Sequence, residues 1–228
     1  MPCLTPLRKS WIVRVPLFLR AEAETQRALD EAMHLRAYAA EQSVFLEGHR
    51  PQGLCIVVSG LVRHYHILED GRVHVHHYAR PYQALNIIPA LDGRPNPYSA
   101  ETVSESQLAW LPRQTLLELM GRDPELMMSC IRLLTLQNRQ LMARLDDFGF
   151  RTVPSRLARL LLRRGGFEQE VNLPLDTLSQ DEIASVLGTS REVLGRALRQ
   201  LYDLGLVRRE GRKYVIVDKD GLERLAGE

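Results

Sequence analysis

Two groups of side chains in this sequence have the types and spacing to do chemistry. The first is Arg191, Glu192 and Arg196. On a helix these positions share one face. A guanidinium there can donate two hydrogen bonds to guanine O6 and N7, and a carboxylate can accept from cytosine N4. A basic run follows at Arg208, Arg209, Arg212 and Lys213, suited to phosphates. The second group is His64, His66, His74, His76 and His77. In a symmetric two-strand register His66 faces His74 and His64 faces His76, which puts all four on one face, within reach of a metal ion or a haem iron. A one-residue slip separates them, and the exposed face of an antiparallel strand produces the same alternation with no site at all.

The elements that must position the first group are legible between Leu178 and Tyr214. Ser179-Gln180-Asp181-Glu182 has the S-x-x-E form of a capping box, so a helix starts there. Ile183, Ala184 and Leu187 give it an apolar face, and Gly188 ends it. Thr189 and Ser190 cap a second helix that runs from Arg191 to about Leu204. Its apolar face is Val193, Leu194, Ala197, Leu198 and Leu201; the other face shows Arg191, Glu192, Gly195, Arg196 and Arg199. Two helices joined by a short Gly-containing turn form a helix-turn-helix, whose second helix enters the major groove. Leu206–Arg209 and Lys213–Val217, around Glu210-Gly211-Arg212, read as a two-stranded wing. Base reading then falls to Arg191, Glu192 and Arg196. Backbone contacts fall to Ser179, Thr189, Ser190, Arg199, Arg212 and Lys213.

Upstream, residues 22–38 carry apolar side chains at Ala28, Ala32, Leu35 and Tyr38, which predicts a short amphipathic helix. Short β-rich runs follow at Val44–Leu46, Leu54–Val58, Leu61–Ile67 and Val73–Tyr78, with Gly48, Gly60 and Gly71 at the turns; this predicts a small antiparallel roll. After Pro112 the texture is helical. Asp123-Pro124-Glu125 is a helix start. Leu126, Cys130, Leu133/Leu134, Leu141, Leu145 and Phe148 form a seam with steps of three and four, interrupted by Gln137, that predicts self-pairing. Gly149 offers a hinge, and helix resumes over Val153–Arg164 until Gly165-Gly166. The fold class is α+β, in three parts. Residues 1–122 form an antiparallel β-roll, 123–149 a dimerisation helix and hinge, and 150–228 a winged helix-turn-helix.

Composition bounds the rest. The formal net charge is only +2, so DNA binding is argued from where the basic residues lie and not from their number. Cys3, Cys55 and Cys130 lie far apart with no C-x-x-C pair, which does not fit zinc or iron–sulfur spacing. Such sparse thiols suit a reducing compartment. Trp11–Leu19 is apolar but broken by Arg14 and Pro16, and is shorter than the ~20 residues a membrane helix needs. A cytoplasmic protein with no membrane partner is expected.

Ser190–Arg196, S-R-E-V-L-G-R, resembles the recognition helix of the cyclic-AMP receptor protein branch of the Crp/Fnr regulators. Val15–Phe18 (VPLF), Phe45–Gly48 (FLEG), Ile56–Arg63 (IVVSGLVR) and Glu69–Gly71 (EDG) resemble the family's cyclic-nucleotide-binding-like roll, and the long helix its dimer helix. The resemblance covers nearly the whole chain. It implies a transcriptional regulator and not an enzyme: a homodimer on palindromic double-stranded DNA with TGTGA-like half-sites, with RNA polymerase as a further partner. The effector region departs from the family. Cyclic-nucleotide readers carry a Gly-Glu pair for ribose and an Arg-Ser pair for phosphate. Here the matching positions hold Asn86, Ile87, Tyr98 and Ser99, with Leu141 and Met142 on the long helix. Without the phosphate-binding guanidinium, cyclic AMP is not the expected ligand, and the small-molecule effector is unassigned. Haem or metal sensing through the histidines is the alternative within the family. A metal-dependent cupin, suggested by His64-x-His66 and Glu69, is the alternative enzyme class; it leaves the winged helix unexplained. A third reading, an architectural DNA binder with no effector, predicts DNA affinity indifferent to any small molecule.

Overall fold

The computed structural model describes residues 11–69, 71, 73–162, 178–211 and 213–227. Gly165-Gly166, residues 167–176, whose sequence reads as strand or loop, and Arg212 lie outside them. The chain divides into two compact units. One joins Met1–His64 with Ala79–Arg139; the other joins Tyr65–Tyr78 with Gln140–Glu228.

In the first unit the apolar N-terminal stretch is core. Ile12, Val15, Leu17 and Phe18 are buried around a 3-10 turn at Ile12–Arg14. Helix α1 spans Ala23–Ala32, shorter than the periodicity of residues 22–38 predicts. His34–Tyr38 is instead strand β1, paired antiparallel with Ser106–Pro112 (β7) from His34↔Trp110 to Tyr38↔Ser106. The indole N–H of Trp110 donates to the Tyr38 hydroxyl at 3.2 Å. Long-range pairing has overridden a local helical pattern.

Gly53–Ser59 (β3) pairs with the other edge of β7, giving a sheet ordered β1-β7-β3. Ser43–Phe45 (β2), Val62–Ile67 (β4), Val73–Ala79 (β5) and Ser99–Thr102 (β6) form a second sheet ordered β2-β6-β4-β5. Gly53, at φ 155°, shows why its residue type matters: a Cβ there would stand 2.1 Å from the Leu111 carbonyl oxygen. One core cluster gathers Cys55, Val57, Val62, Leu85, Leu108 and Trp110. Cys55 and Cys130 are both buried free thiols. Burial raises both pKa values, that of Cys130 to about 11, so neither is a thiolate at neutral pH.

Helix α2 (Ile87–Asp92) starts after Asn86 and α3 spans Arg113–Arg122. Helix α4 runs Pro124–Phe150, about 40 Å at 1.5 Å per residue. Asp123 anchors it. Its carboxylate accepts from the Glu125 and Leu126 amides at 2.9 and 3.0 Å and from the Glu22 amide at 2.8 Å. The long seam does not survive as one surface. Leu126 and Cys130 are packed into the first unit's own core, at 0% and 1% exposure, with Leu133 and Leu134 partly buried against it. Their expected part in a self-pairing seam is therefore corrected, because side chains already covered by their own chain have nothing to offer a second copy. Leu141 and Leu145 are exposed, as are Met128 and Ile131 one step round the helix; the side chain of Phe148 lies outside the description. Gly149 is not a break either, since α4 continues through it and the chain leaves the helix at Arg151-Thr152.

In the second unit α5 (Val153–Leu162), α6 (Gln180–Val186) and α7 (Arg191–Asp203) precede a hairpin of Val207–Glu210 (β8) and Lys213–Ile216 (β9). A terminal helix absent from the sequence reading, α8 (Lys219–Ala226), is capped by the Asp218 carboxylate and ends at Gly227, φ 75°. Ser155 and Arg151 donate side-chain hydrogen bonds to the Ala226 carbonyl and tie α8 to the start of α5. Among the described residues no helix is long and apolar enough to cross a membrane.

Candidate nucleic-acid interface and effector region

Local chemistry builds the helix-turn-helix. The Glu182 amide donates to Ser179 Oγ at 3.2 Å, and the Ser179 amide donates to Glu182 Oε2 at 2.7 Å, which closes the predicted capping box. Glu182 Oε1 also accepts from the Tyr78 hydroxyl at 3.0 Å, and Ser185 Oγ accepts from the Val75 amide at 2.7 Å, so β5 holds α6 within this unit. Gly188 turns the chain at φ 60°, and the Thr189 amide closes onto the Ala184 carbonyl at 2.9 Å. Ser190 Oγ then accepts from the Val193 amide at 3.4 Å and caps α7.

Helix α7 buries Leu194, Ala197, Leu198 and Leu201 and leaves Arg191, Glu192, Arg196 and Arg199 exposed. The structure thus brings the three base-reading candidates onto one open face. Arg191 is held by Asp181 of α6 at 3.2 Å, a partner the sequence reading missed. Both side chains are about two-thirds exposed, and such a pair is worth about 0–1 kcal/mol, so it yields readily to a better acceptor. Glu192 accepts from the Ser190 hydroxyl at 2.9 Å, and Arg199 Nε donates to the Gly195 carbonyl at 3.4 Å. A Cβ at Gly195 would meet nothing within 4 Å; the space is open on the face that carries Arg191 and Arg196. Of the backbone candidates, Ser179 and Lys213 are exposed and Thr189 and Ser190 half-buried. On the wing Arg208 pairs with Glu210 at 2.7 Å, and Arg209 donates to the Gly211 carbonyl.

The effector candidates of the first unit are engaged by other residues of that unit. Asn86, 1% exposed, accepts from the Cys55 amide at 2.9 Å and donates to the Gly53 carbonyl at 2.8 Å. Ile87 is packed in the core. Ser99 Oγ accepts from the Glu47 amide. The Tyr98 hydroxyl donates to the Leu85 carbonyl at 2.7 Å, and its ring stacks on His64 with centroids 4.5 Å apart and planes at 20°. Phe45 stands 6.3 Å from His64 and 6.1 Å from Tyr98. Desolvation raises the pKa of Tyr98, so it stays a neutral donor. Leu141 and Met142 belong to the second unit and are exposed.

The histidines that are described have partners of other kinds. His64 is buried against Tyr98, His66 is half-buried, and His74 Nδ1 lies 3.4 Å from Ser185 Oγ; the side chain of His76 lies outside the description. Among the described residues no three His, Cys, Asp or Glu side chains gather as a metal site.

Two family models match the chain: a cyclic nucleotide-binding domain over residues 35–123 and a Crp-like helix-turn-helix domain over residues 155–225. The chain is 29% identical over 219 residues to the CRP-like cAMP-activated global transcriptional regulator of Mycobacterium tuberculosis, covering 94% of this chain and 98% of that protein. It is 30% identical over 175 residues to the cyclic AMP receptor protein of Thermus thermophilus, covering 76% and 79%. The crystal structure of the Thermus thermophilus catabolite activator protein superposes with a TM-score of 0.54 at 28% identity, over 93% of this chain and 98% of that one. Capped helices, a basic wing and a nucleotide-binding-type roll thus occur together in one chain, in the order its relatives share, and the chain belongs to the Crp/Fnr family of DNA-binding transcriptional regulators.

Proposed function

We propose that the protein is a homodimeric regulator that reads a palindrome of TGTGA-like half-sites through Arg191, Glu192 and Arg196, and that cyclic AMP does not control it. The open α7 face carries the first claim. It presents two guanidiniums and a carboxylate in the first turns of a capped helix, the region that meets base edges in this motif. Ser179, Thr189, Ser190, Arg199, Arg212 and Lys213 supply phosphate contacts. The exposed apolar residues of α4, Leu141 and Leu145 among them, support pairing of two copies, which would double the half-site. RNA polymerase is the partner through which such a regulator acts on transcription.

The Tyr98–His64 stack carries the second claim. A cyclic phosphate needs a guanidinium or a comparable donor set. This position instead holds a neutral phenol whose one donor is already bonded to Leu85, and Asn86 offers no carboxylate for a ribose. These residues do not fit the nucleotide.

The test uses the full chain. Fluorescence anisotropy is expected to show at least tenfold preference for a TGTGA palindrome over a scrambled duplex, with two chains per duplex. Calorimetry with cyclic AMP is expected to show no saturable heat. Equal affinity for the two duplexes refutes the half-site, and tight saturable cyclic AMP binding refutes the second claim.

A further inference from the structure

Helix α6 carries two acids in its first turn, and they serve different ends. Glu182 is engaged inside its own unit: one carboxylate oxygen accepts from the Tyr78 hydroxyl, and the other closes the capping box with Ser179. Asp181 is exposed and meets Arg191 of α7 at 3.2 Å. The two residues lie ten positions apart, so no capping or i,i+4 rule within one helix accounts for the contact. Neither helix needs it. Ser179 caps α6, Ser190 caps α7, and each helix buries an apolar face. An ion pair this exposed adds little stability. Its effect falls on whatever approaches Arg191 from outside.

The charges of the reading face balance. Arg191 and Arg196 are matched by Asp181 and Glu192, all of them exposed. Binding to random DNA is driven by cations that replace counterions on phosphates, so a face whose charges cancel gains little there. A guanidinium has five N–H donors. Asp181 occupies one of them in Arg191, and guanine O6 and N7 take two. Guanine is uncharged, so it and Asp181 can share Arg191. A phosphate shares it at a much higher cost, because two anions then stand side by side on one cation.

We propose that Asp181 is a positioning residue that sets DNA specificity: its carboxylate restricts Arg191 to neutral acceptors and withholds it from the phosphates of random DNA. This rests on the reading of α7 as the base-reading helix. Asp181 touches no base itself and acts through Arg191.

The test is fluorescence anisotropy of the full-length protein on a TGTGA palindrome and on a scrambled duplex, each over a range of salt. Asp181→Asn keeps the side-chain size and removes the charge. It is expected to tighten the scrambled duplex at least threefold. It should also steepen that duplex's log–log salt dependence by about 0.9 per chain, the value for one more neutralised phosphate. Palindrome affinity is expected to change less than twofold with its salt slope unchanged, so selectivity falls. Asp181→Glu, which keeps a carboxylate, is expected to keep the parent's selectivity. Asp203→Asn makes the same change of net charge at the far end of α7, about 18 Å from Arg191 at 1.5 Å per residue. It is expected to alter neither duplex. In an Arg191→Ala background, Asp181→Asn is expected to have no effect on the scrambled duplex. Unchanged or weaker binding of the scrambled duplex, equal tightening on both duplexes, an equal gain from Asp203→Asn, or a gain that survives Arg191→Ala each overturns the proposal. A parent protein without preference for the palindrome refutes the half-site instead. The scrambled-duplex and Arg191→Ala measurements then still decide whether Asp181 restrains Arg191.

Discussion

The two units carry their chemistry in opposite places. In the second, the reactive groups lie outside. Arg191, Glu192 and Arg196 project from a helix whose interior face is Leu194, Ala197, Leu198 and Leu201. In the first, the polar groups that matter are inside: His64, Asn86, Asn96 and Ser99 are all buried. The bonds that set them join residues 31 and 52 positions apart, as between Cys55 and Asn86 or Glu47 and Ser99. An exposed reading face can keep its residue types while its scaffold changes. A buried pocket cannot, because each interior substitution must be satisfied by its neighbours. Tyr98 shows this: its hydroxyl is bonded to the Leu85 carbonyl and its ring is stacked on His64.

Substitutions can break or sharpen that contrast. The largest effect is expected from Leu194→Ala, which removes a fully buried side chain from α7. It should cost about 2–5 kcal/mol of stability, read by denaturant unfolding, and DNA binding should fall with it. Full stability would mean that α7 is not held by its apolar face. Next is Arg196→Ala. It should leave unfolding unchanged but lower affinity for the palindrome by about 1–3 kcal/mol, with little change on random DNA. Equal losses on both duplexes would move Arg196 from base to phosphate.

A smaller effect is expected from Ser179→Ala, which opens the capping box at about 1 kcal/mol and should weaken palindrome and random DNA alike. The smallest is confined to acid. Burial pushes the Asp123 pKa up, but hydrogen bonds from the Glu22, Leu126, Thr25 and Glu125 groups outweigh it, and the net pKa is lowered. Its stabilisation is therefore complete above the ordinary carboxylate range and is lost as pH falls through the folded value. Asp123→Asn should accordingly be less stable than the parent at neutral pH, the gap closing below about pH 4. A gap that persists undiminished in acid would point to shape and not charge.

Some of this was legible in the residues alone. Ser179-x-x-Glu182, Gly188 and Ser190 are short-range signals, and each makes the bond its spacing implies. The same kind of signal, Asp218 followed by an amphipathic run and Gly227, marks α8. What the sequence by itself determined is therefore the DNA-binding half, whose caps, turns and faces depend on residues three or four positions apart. Tertiary structure alone decided that His34–Tyr38 is a strand and not helix, that Leu126 and Cys130 face their own core, and that His64 stacks on Tyr98. Each of these turns on which distant strand or helix comes to lie alongside, and local spacing holds no record of that.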